Sequence, residues 1–267
     1  MHLEKLQRYV SVGGLRIRVA EAGDRDEPAI LLIHGLGGSI ESWMNNLIPL
    51  SERLHVIALD LPGFGFSDKP PINYTPEYYS DFISTFVNSM NRQKVNLVGH
   101  SMGGLIVLET ALSNPEIIDR LVLVDVAGIG DKAAEIIERS MGGDWTLDKL
   151  MKFYEDYIIG EHRVVDEELL KRSLKLYHED PRLRHAYRCC LRFLGAGRPV
   201  ERFSKVAHPT LIIWGSMDRL VPPKYGHRLH RVLKNSKLMI FKGAGHSPHV
   251  EVPEEFNQAI VDFILGK

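Results

Sequence analysis

Cysteine is almost absent: Cys189 and Cys190 are the only two in 267 residues, and they are neighbours. Adjacent cysteines join only in a strained disulfide, and two cannot build the cross-linked framework of a small secreted domain. A reducing compartment fits that usage. An excess of charge of one sign is lacking as well, with 33 Lys and Arg against 34 Asp and Glu and a formal net charge of −1. Near-neutrality leaves no reason to expect the broad basic face that nucleic acid or anionic lipid requires. Long apolar runs are also missing. A stretch such as Ala29–Ile33 falls far short of the ~20 residues that cross a bilayer. Residues 1–25 carry Glu4, Lys5, Arg8, Arg16, Arg18, Glu21, Asp24 and Arg25 in place of an apolar signal core. The expectation is a cytoplasmic protein without a membrane span, acting on a small molecule; its oligomeric state stays open.

What is present is a hydrophobic fraction of 44%, enough at this length for one large core or a core with a satellite. Tyr9–Val12 and Leu15–Ala20 flank Gly13-Gly14, a pair suited to the positive φ angles of a tight hairpin. Short apolar runs follow at Ala29–Ile33, Val56–Leu59, Val95–Val98, Leu121–Val124, Leu211–Trp214 and Leu238–Phe241. Uninterrupted runs of this kind suit parallel strands buried on both faces. Helical spacing lies between most of them, at Tyr78–Met90, Met102–Leu112, Pro223–Leu233 and Glu254–Leu265. Alternating strands and helices predict a mostly parallel α/β sheet. From Ile129 to Lys205 the strands stop and apolar residues recur at helical spacing: Leu147, Leu150, Met151 and Tyr154, then Leu183, Tyr187, Cys190 or Leu191, and Leu194. Strand-like sequence resumes directly afterwards, so residues 129–205 are read as a helical insertion in a core formed by 1–128 and 206–267.

One local pattern carries chemistry. Val95-Asn96-Leu97-Val98 runs through Gly99-His100-Ser101-Met102-Gly103 into a helical segment. A serine at a strand-to-helix turn is displayed above the sheet, and glycines two residues to either side remove Cβ atoms that would clash. The helix N-terminus behind it favours a developing oxyanion. A seryl nucleophile also requires a histidine base and a carboxylate to orient that base. Asp218 lies in the loop after Leu211–Trp214 and His246 in the loop after Leu238–Phe241, and loops after successive parallel strands emerge at one edge.

Five segments together resemble the α/β-hydrolase superfamily over nearly the whole chain: His34-Gly35-Leu36-Gly37-Gly38, Asp60-Leu61-Pro62-Gly63-Phe64-Gly65-Phe66-Ser67, the Ser101 turn, and the loops of Asp218 and His246. The resemblance implies an eight-stranded, mostly parallel sheet flanked by helices, with 129–205 as the family's cap. It implies Ser101 as nucleophile, His246 as general base and Asp218 as the orienting acid, with an oxyanion hole from the backbone N–H groups of Leu36 and Met102. His34 is expected to support that loop. Asp125 ends the run Leu121–Val124 and is a rival acid, placed second because Asp218 sits in a Gly-x-x-Asp-x-x-Val-Pro setting. Asp60 and Asp68 are read as loop-shaping. His100 is expected to project away from Ser101, His249 to lie behind the site, and His227 with His230 to form an exposed polar face. No cofactor-binding or metal-binding motif is present, and the mechanism requires no cofactor.

Ester hydrolysis of short to medium acyl chains, in the manner of a carboxylesterase or lipase, is the leading expectation. Haloalkane dehalogenases and epoxide hydrolases place aspartate where Ser101 stands, which argues against both. The alternative is a carbon–carbon hydrolase of dienoate products of aromatic-ring cleavage. Those enzymes typically have asparagine before the nucleophile and tryptophan after the catalytic histidine, where this chain has His100 and Ser247. Arg184, Arg188 and Arg192 recur every four residues, either to bind a substrate carboxylate or as a solvated face. Leu147, Met151, Phe153, Tyr154 and Leu194 are read chiefly as packing residues of the insertion. A ligand receptor on the same fold is a third reading, against which every catalytic position is filled.

Overall fold

A computed structural model describes residues 5–142 and 144–267. Its centre is an eight-stranded sheet in the order β1-β2-β4-β3-β5-β6-β7-β8. The strands are β1 (Gln7–Val12), β2 (Leu15–Ala22), β3 (Ala29–Ile33), β4 (His55–Leu59), β5 (Val95–His100), β6 (Ile118–Val124), β7 (Thr210–Gly215) and β8 (Ser236–Phe241). β1 and β2 form the antiparallel edge and β2 meets β4 antiparallel; all later pairings are parallel. At the first hairpin Val12 pairs with Leu15, and Gly13 and Gly14 take φ of +55° and +81°, the positive pair a two-residue turn demands.

Among the described residues, ten α-helices accompany the sheet: α1 (Leu47–Ser51), α2 (Pro76–Ser89), α3 (Met102–Ser113), α4 (Ala133–Met141), α5 (Leu147–Phe153), α6 (Glu167–Glu179), α7 (Pro181–Ala196), α8 (Lys224–Val232), α9 (Pro248–Glu251) and α10 (Pro253–Leu265). Their starts follow sequence chemistry. Thr75 accepts from Tyr78 N–H ahead of Pro76, and Asp180 accepts from Arg182 N–H ahead of Pro181, so side chains satisfy first-turn donors that lack helical acceptors. Among the described residues, α4 to α7 stand between β6 and β7 without a strand.

Alternation along β3 divides the core. Leu31 and Ile33 enter the layer shared with α2, α3 and the insertion, whereas Ile30 and Leu32 enter the layer shared with α1 and α10. Both faces of β3 to β7 are thereby covered, as parallel strands require. β8 departs from the buried strand that its apolar run suggests. It is the last strand in the sheet order, and Met239 and Ile240 are each 38% exposed. Among the described residues no helix is long and apolar enough to cross a membrane.

Candidate active site

Parallel register delivers the loops after β3, β5, β6, β7 and β8 to one end of the sheet. β5 ends at His100, and Ser101 turns the chain into α3 with φ of 53° and ψ of −117°. A non-glycine residue held there stores about 1–3 kcal/mol of strain. Crowding around the turn explains its glycines: a Cβ on Gly99 would lie 2.4 Å from Gly103 O, and one on Gly103 would lie 2.3 Å from Ile33 O. Since both obstacles are backbone, neither yields to a rotamer change.

Three side chains meet at this turn. Ser101 Oγ lies 3.0 Å from His246 Nε2, and His246 Nδ1 lies 2.7 Å from Asp218 Oδ2. Asp218 Oδ1 accepts from the backbone N–H groups of Leu220 and Val221 at 2.9 and 2.8 Å, which fixes the carboxylate plane. All three residues are buried. The chain thus brings together Ser101, Asp218 and His246 from positions far apart, in the arrangement by which an imidazole accepts a hydroxyl proton while a carboxylate holds its tautomer.

Leu36 stands in the loop after β3, and Met102 opens α3, where the N–H groups have no intrahelical acceptor. Leu36 lines the same cavity as Ser101, which Met102 directly follows in the chain. His34 is wholly buried; its Nδ1 meets Gly35 O at 2.7 Å and its Nε2 accepts from Leu61 N–H at 3.0 Å. Burial lowers its pKa, so the ring is a neutral brace under the Leu36 loop. Asp60 accepts from Ile40 N–H, Phe66 N–H and the Arg18 guanidinium, at 2.8, 2.7 and 2.7 Å.

One side chain stands differently from the sequence reading. His100 does not turn away from the site: its Nε2 lies 2.7 Å from the carbonyl oxygen of His246, so it ties down the loop bearing that residue. Its pKa is pushed far down, first by burial and then by His249 and His246. His249 is packed between Trp43 and His100, with ring centroids 4.6 and 4.5 Å away, and burial together with His246 lowers its pKa to about 3. Asp125 faces the acid loop, where its Oδ1 accepts from Gly215 N–H at 2.9 Å. His227 and His230 lie exposed on α8.

A cavity of about 790 Å³ lies between the sheet end and the insertion. Phe153, Tyr154 and Tyr187 contribute an apolar wall, and Arg18, Glu41 and Arg172 a charged one. Of the five apolar insertion residues named from sequence, Phe153 and Tyr154 reach this space while Leu147, Met151 and Leu194 pack into the core. Arg184, Arg188 and Arg192 do not line it. Arg184 donates to the carbonyls of Tyr177 and His178, and Arg192 to Cys189 Sγ.

The pair Arg18–Glu41 escaped the sequence reading. Arg18 is 3% exposed and grips both Asp60 and Glu41; a buried arginine in a strand was the available signal, but nothing local identifies its partners. Arg172 on α6 approaches Glu41 at 3.6 Å, and the rings and charges stack as Arg18, Phe66, Arg172, with guanidinium carbons 4.6 and 5.1 Å from the Phe66 centroid. Among the described residues, one cluster has metal-ligand spacing, Asp125, Asp218 and His246. Both nitrogens of its histidine already face Asp218 and Ser101.

Residues 30–259 match the profile of the alpha/beta hydrolase family. Over 97% of this chain and 91% of the relative, the sequence is 30% identical to a 2-hydroxy-6-oxo-6-(2'-aminophenyl)hexa-2,4-dienoic acid hydrolase of Metapseudomonas resinovorans. A serine hydrolase involved in carbazole degradation is similar in structure, with a TM-score of 0.84, 29% identity, and coverage of 98% of this chain and 99% of the other. A membrane phospholipase A, described as a bacterial virulence factor, superimposes with a TM-score of 0.85 at 29% identity over 97% and 86% of the two chains.

Proposed function

The chain belongs to the alpha/beta hydrolase family and is a hydrolase; from that premise we propose that it cleaves the carbon–carbon bond beside the ketone of a 2-hydroxy-6-oxo-dienoate, the class of product left by aromatic-ring cleavage. The observation that carries this reading is the 30% identity to a hydrolase of that class over 97% of the chain, a span that includes the insertion as well as the catalytic loops. This moves carbon–carbon cleavage ahead of the ester hydrolysis expected from sequence.

The cavity suits such a substrate because its lining holds both aromatic and charged side chains. On this reading the ketone substituent would lie against Phe153, Tyr154 and Tyr187 and the dienoate carboxylate would point to Arg172, all residues that line the cavity. In this assignment His246 takes the proton of Ser101 as Oγ attacks the ketone carbon, and the N–H groups of Leu36 and Met102 receive the oxyanion. Collapse of the tetrahedral adduct breaks the carbon–carbon bond. The step requires the 2-oxo tautomer of the substrate, in which the enol O–H has been lost and C5 has gained a proton. The electron pair then passes into the conjugated 2-oxo acid as a dienolate, which takes up the proton held by His246 and leaves the ring free to activate water. Water activated by His246 then releases the acid from Ser101. Residues 129–205 serve as the cap that shuts this chemistry away from bulk water.

Ester hydrolysis is the second reading, favoured by one specific observation. His100 and Ser247 occupy the positions where dienoate hydrolases typically have asparagine and tryptophan, and His100 is committed to the His246 carbonyl. The same triad would expel an alkoxide. Competition between the two substrates decides: kcat/KM for a 6-aryl or 6-alkyl 2-hydroxy-6-oxo-dienoate is expected to exceed that for p-nitrophenyl butyrate by on the order of a hundredfold. A ratio in the opposite direction overturns the carbon–carbon reading and installs the ester one.

A further inference from the structure

Asp125 is wholly buried at the end of β6, between the strand that carries Ser101 and the strand that leads to Asp218. Its backbone is strained, with φ of +44°. One carboxyl oxygen, Oδ1, accepts from Gly215 N–H at 2.9 Å, while the other, Oδ2, has no donor within reach. A buried carboxylate oxygen without a donor is a costly arrangement. Beside it stands a second carboxyl: one side-chain atom each of Asp125, Asp218 and His246 all lie within 4.8 Å of one another. Two ionised carboxylates cannot share so dry a space, but a carboxylic acid and a carboxylate can.

We propose that Asp125 donates a carboxylic O–H to Asp218, and so acts as a positioning residue behind the triad. Proton on Asp125, negative charge on Asp218, tautomer on His246 and hydroxyl on Ser101 then form one chain of hydrogen bonds. The O–H supplies Asp218 with a fourth donor beside Leu220 N–H, Val221 N–H and His246 Nδ1–H, while the bond from Gly215 N–H anchors Asp125 to the root of the acid loop. Together these hold the Asp218 carboxylate at the distance His246 needs. Burial, then the charge of Asp218, raises the Asp125 pKa well above the usual carboxylate range, in keeping with a retained proton.

The groups that face Asp125 are Asp218 from the loop after β7, His246 from the loop after β8, and Glu251 from α9. Loss of the proton as pH rises would set a second negative charge beside His246. The two carboxylates would repel, Asp218 would lose the O–H donor, and its carboxylate would no longer hold His246 in place to accept the Ser101 proton. The proposal therefore assigns an alkaline decline in reactivity to Asp125. It rests on the Ser101, His246 and Asp218 assignment, but not on which bond is cleaved.

The test follows the second-order rate of Ser101 phosphonylation by a fluorophosphonate probe from about pH 6 to about pH 10, using wild type, Asp125→Asn and Asp125→Ala. Asparagine keeps both bonds, its amide N–H donating to Asp218 and its oxygen accepting from Gly215. Asp125→Asn is therefore expected within about threefold of wild type near neutrality, and Asp125→Ala slower by on the order of tenfold or more. Asp125→Asn should also lose the alkaline decline, which a merely structural role would not move. A loss in Asp125→Asn as large as that in Asp125→Ala, or an alkaline limb unmoved in Asp125→Asn, overturns the proposal. Should Asp125→Ala fail to fold, the Asp125→Asn rate and profile decide alone. Folded wild type that does not label at all would sink the triad assignment itself, an outcome distinct from any difference among variants.

Discussion

On the sheet side of the cavity, main-chain bonds hold the reactive groups: Ser101 N–H donates to Val124 O at 2.8 Å, Ser216 N–H to Phe241 O at 2.9 Å and Met217 N–H to Ala244 O at 2.8 Å. On the insertion side, side chains make the wall. Trp145 stacks on Tyr177 at 4.2 Å, and Tyr187 meets Trp145 edge-on at 5.0 Å. The insertion joins the reactive loops through a short seam, where His246 N–H donates to Ile158 O, Glu161 N–H to Gly243 O, and Gly160 N–H to Glu251. A wall of backbone is insensitive to which side chains it carries, provided its glycines stay small. A wall of side chains is redrawn by each substitution. Under the proposed function, reaction type belongs to the sheet end and substrate choice to the insertion, and the two are joined by the seam at Ile158–Glu161.

The largest expected effect lies on the backbone-held side. Ser101→Ala is expected to lower kcat by on the order of a millionfold, to the same extent for a dienoate and for a p-nitrophenyl ester, with folding intact because a buried hydroxyl is lost and no core contact. Turnover and thermal unfolding measured together check this. A variant that keeps a substantial rate on either substrate would remove the nucleophile from this side of the cavity and dissolve the contrast.

A smaller and selective effect is expected on the insertion side. Arg172 is the half-exposed cation of the charged wall, with side-chain exposure of 53%, and its partner Glu41 already answers Arg18. Arg172→Ala should raise KM for the anionic dienoate by about tenfold while leaving an uncharged p-nitrophenyl ester within about twofold, as expected for one charge-assisted contact open to solvent. An equal change for both substrates would mean that Arg172 serves only to pack Phe66 and hold α6 in place.

The same contrast sets what the sequence discloses. The Ser101 turn is legible because its constraints are local: an apolar strand, a glycine two residues on either side, and a helix start. The loops of Asp218 and His246 are legible because each follows a strand of the sheet. His100 was misjudged since the direction of a side chain at a turn depends on what packs there, here the carbonyl of His246. Arg18, Glu41 and Asp60 meet from three separate segments and carry no shared spacing, so no periodicity reveals them. In the insertion, helical spacing marks α5 and α7 correctly, yet the same spacing describes Leu194, which is core, and Tyr154, which lines the cavity. Sequence order likewise presents Asp125 and Asp218 as rivals, each at the end of a strand; only their mutual contact recasts the first as a partner of the second.

The smallest effect is one of stability, and it too separates the walls. In the unfolded chain an aspartate ionises near about pH 3.9, whereas Asp125 in the fold holds its proton well above the usual range because of burial and then Asp218. Between those two points the folded state binds one proton more than the unfolded state. Wild-type stability therefore falls as pH rises through this window, by about 1.4 kcal/mol per pH unit for one group, and the contribution present under acid conditions is lost as the folded pKa is passed. Asparagine carries no such proton. Asp125→Asn should gain Tm relative to wild type as pH rises from about 5 to about 8, at about 2–4 °C per kcal/mol for a chain of this size, whereas Arg172→Ala should show an offset independent of pH. Parallel wild-type and Asp125→Asn curves across that range would mean that Asp125 is ionised in the fold, and that the strain of the backbone-held wall is stored in the turn at Ser101 and not in a retained proton.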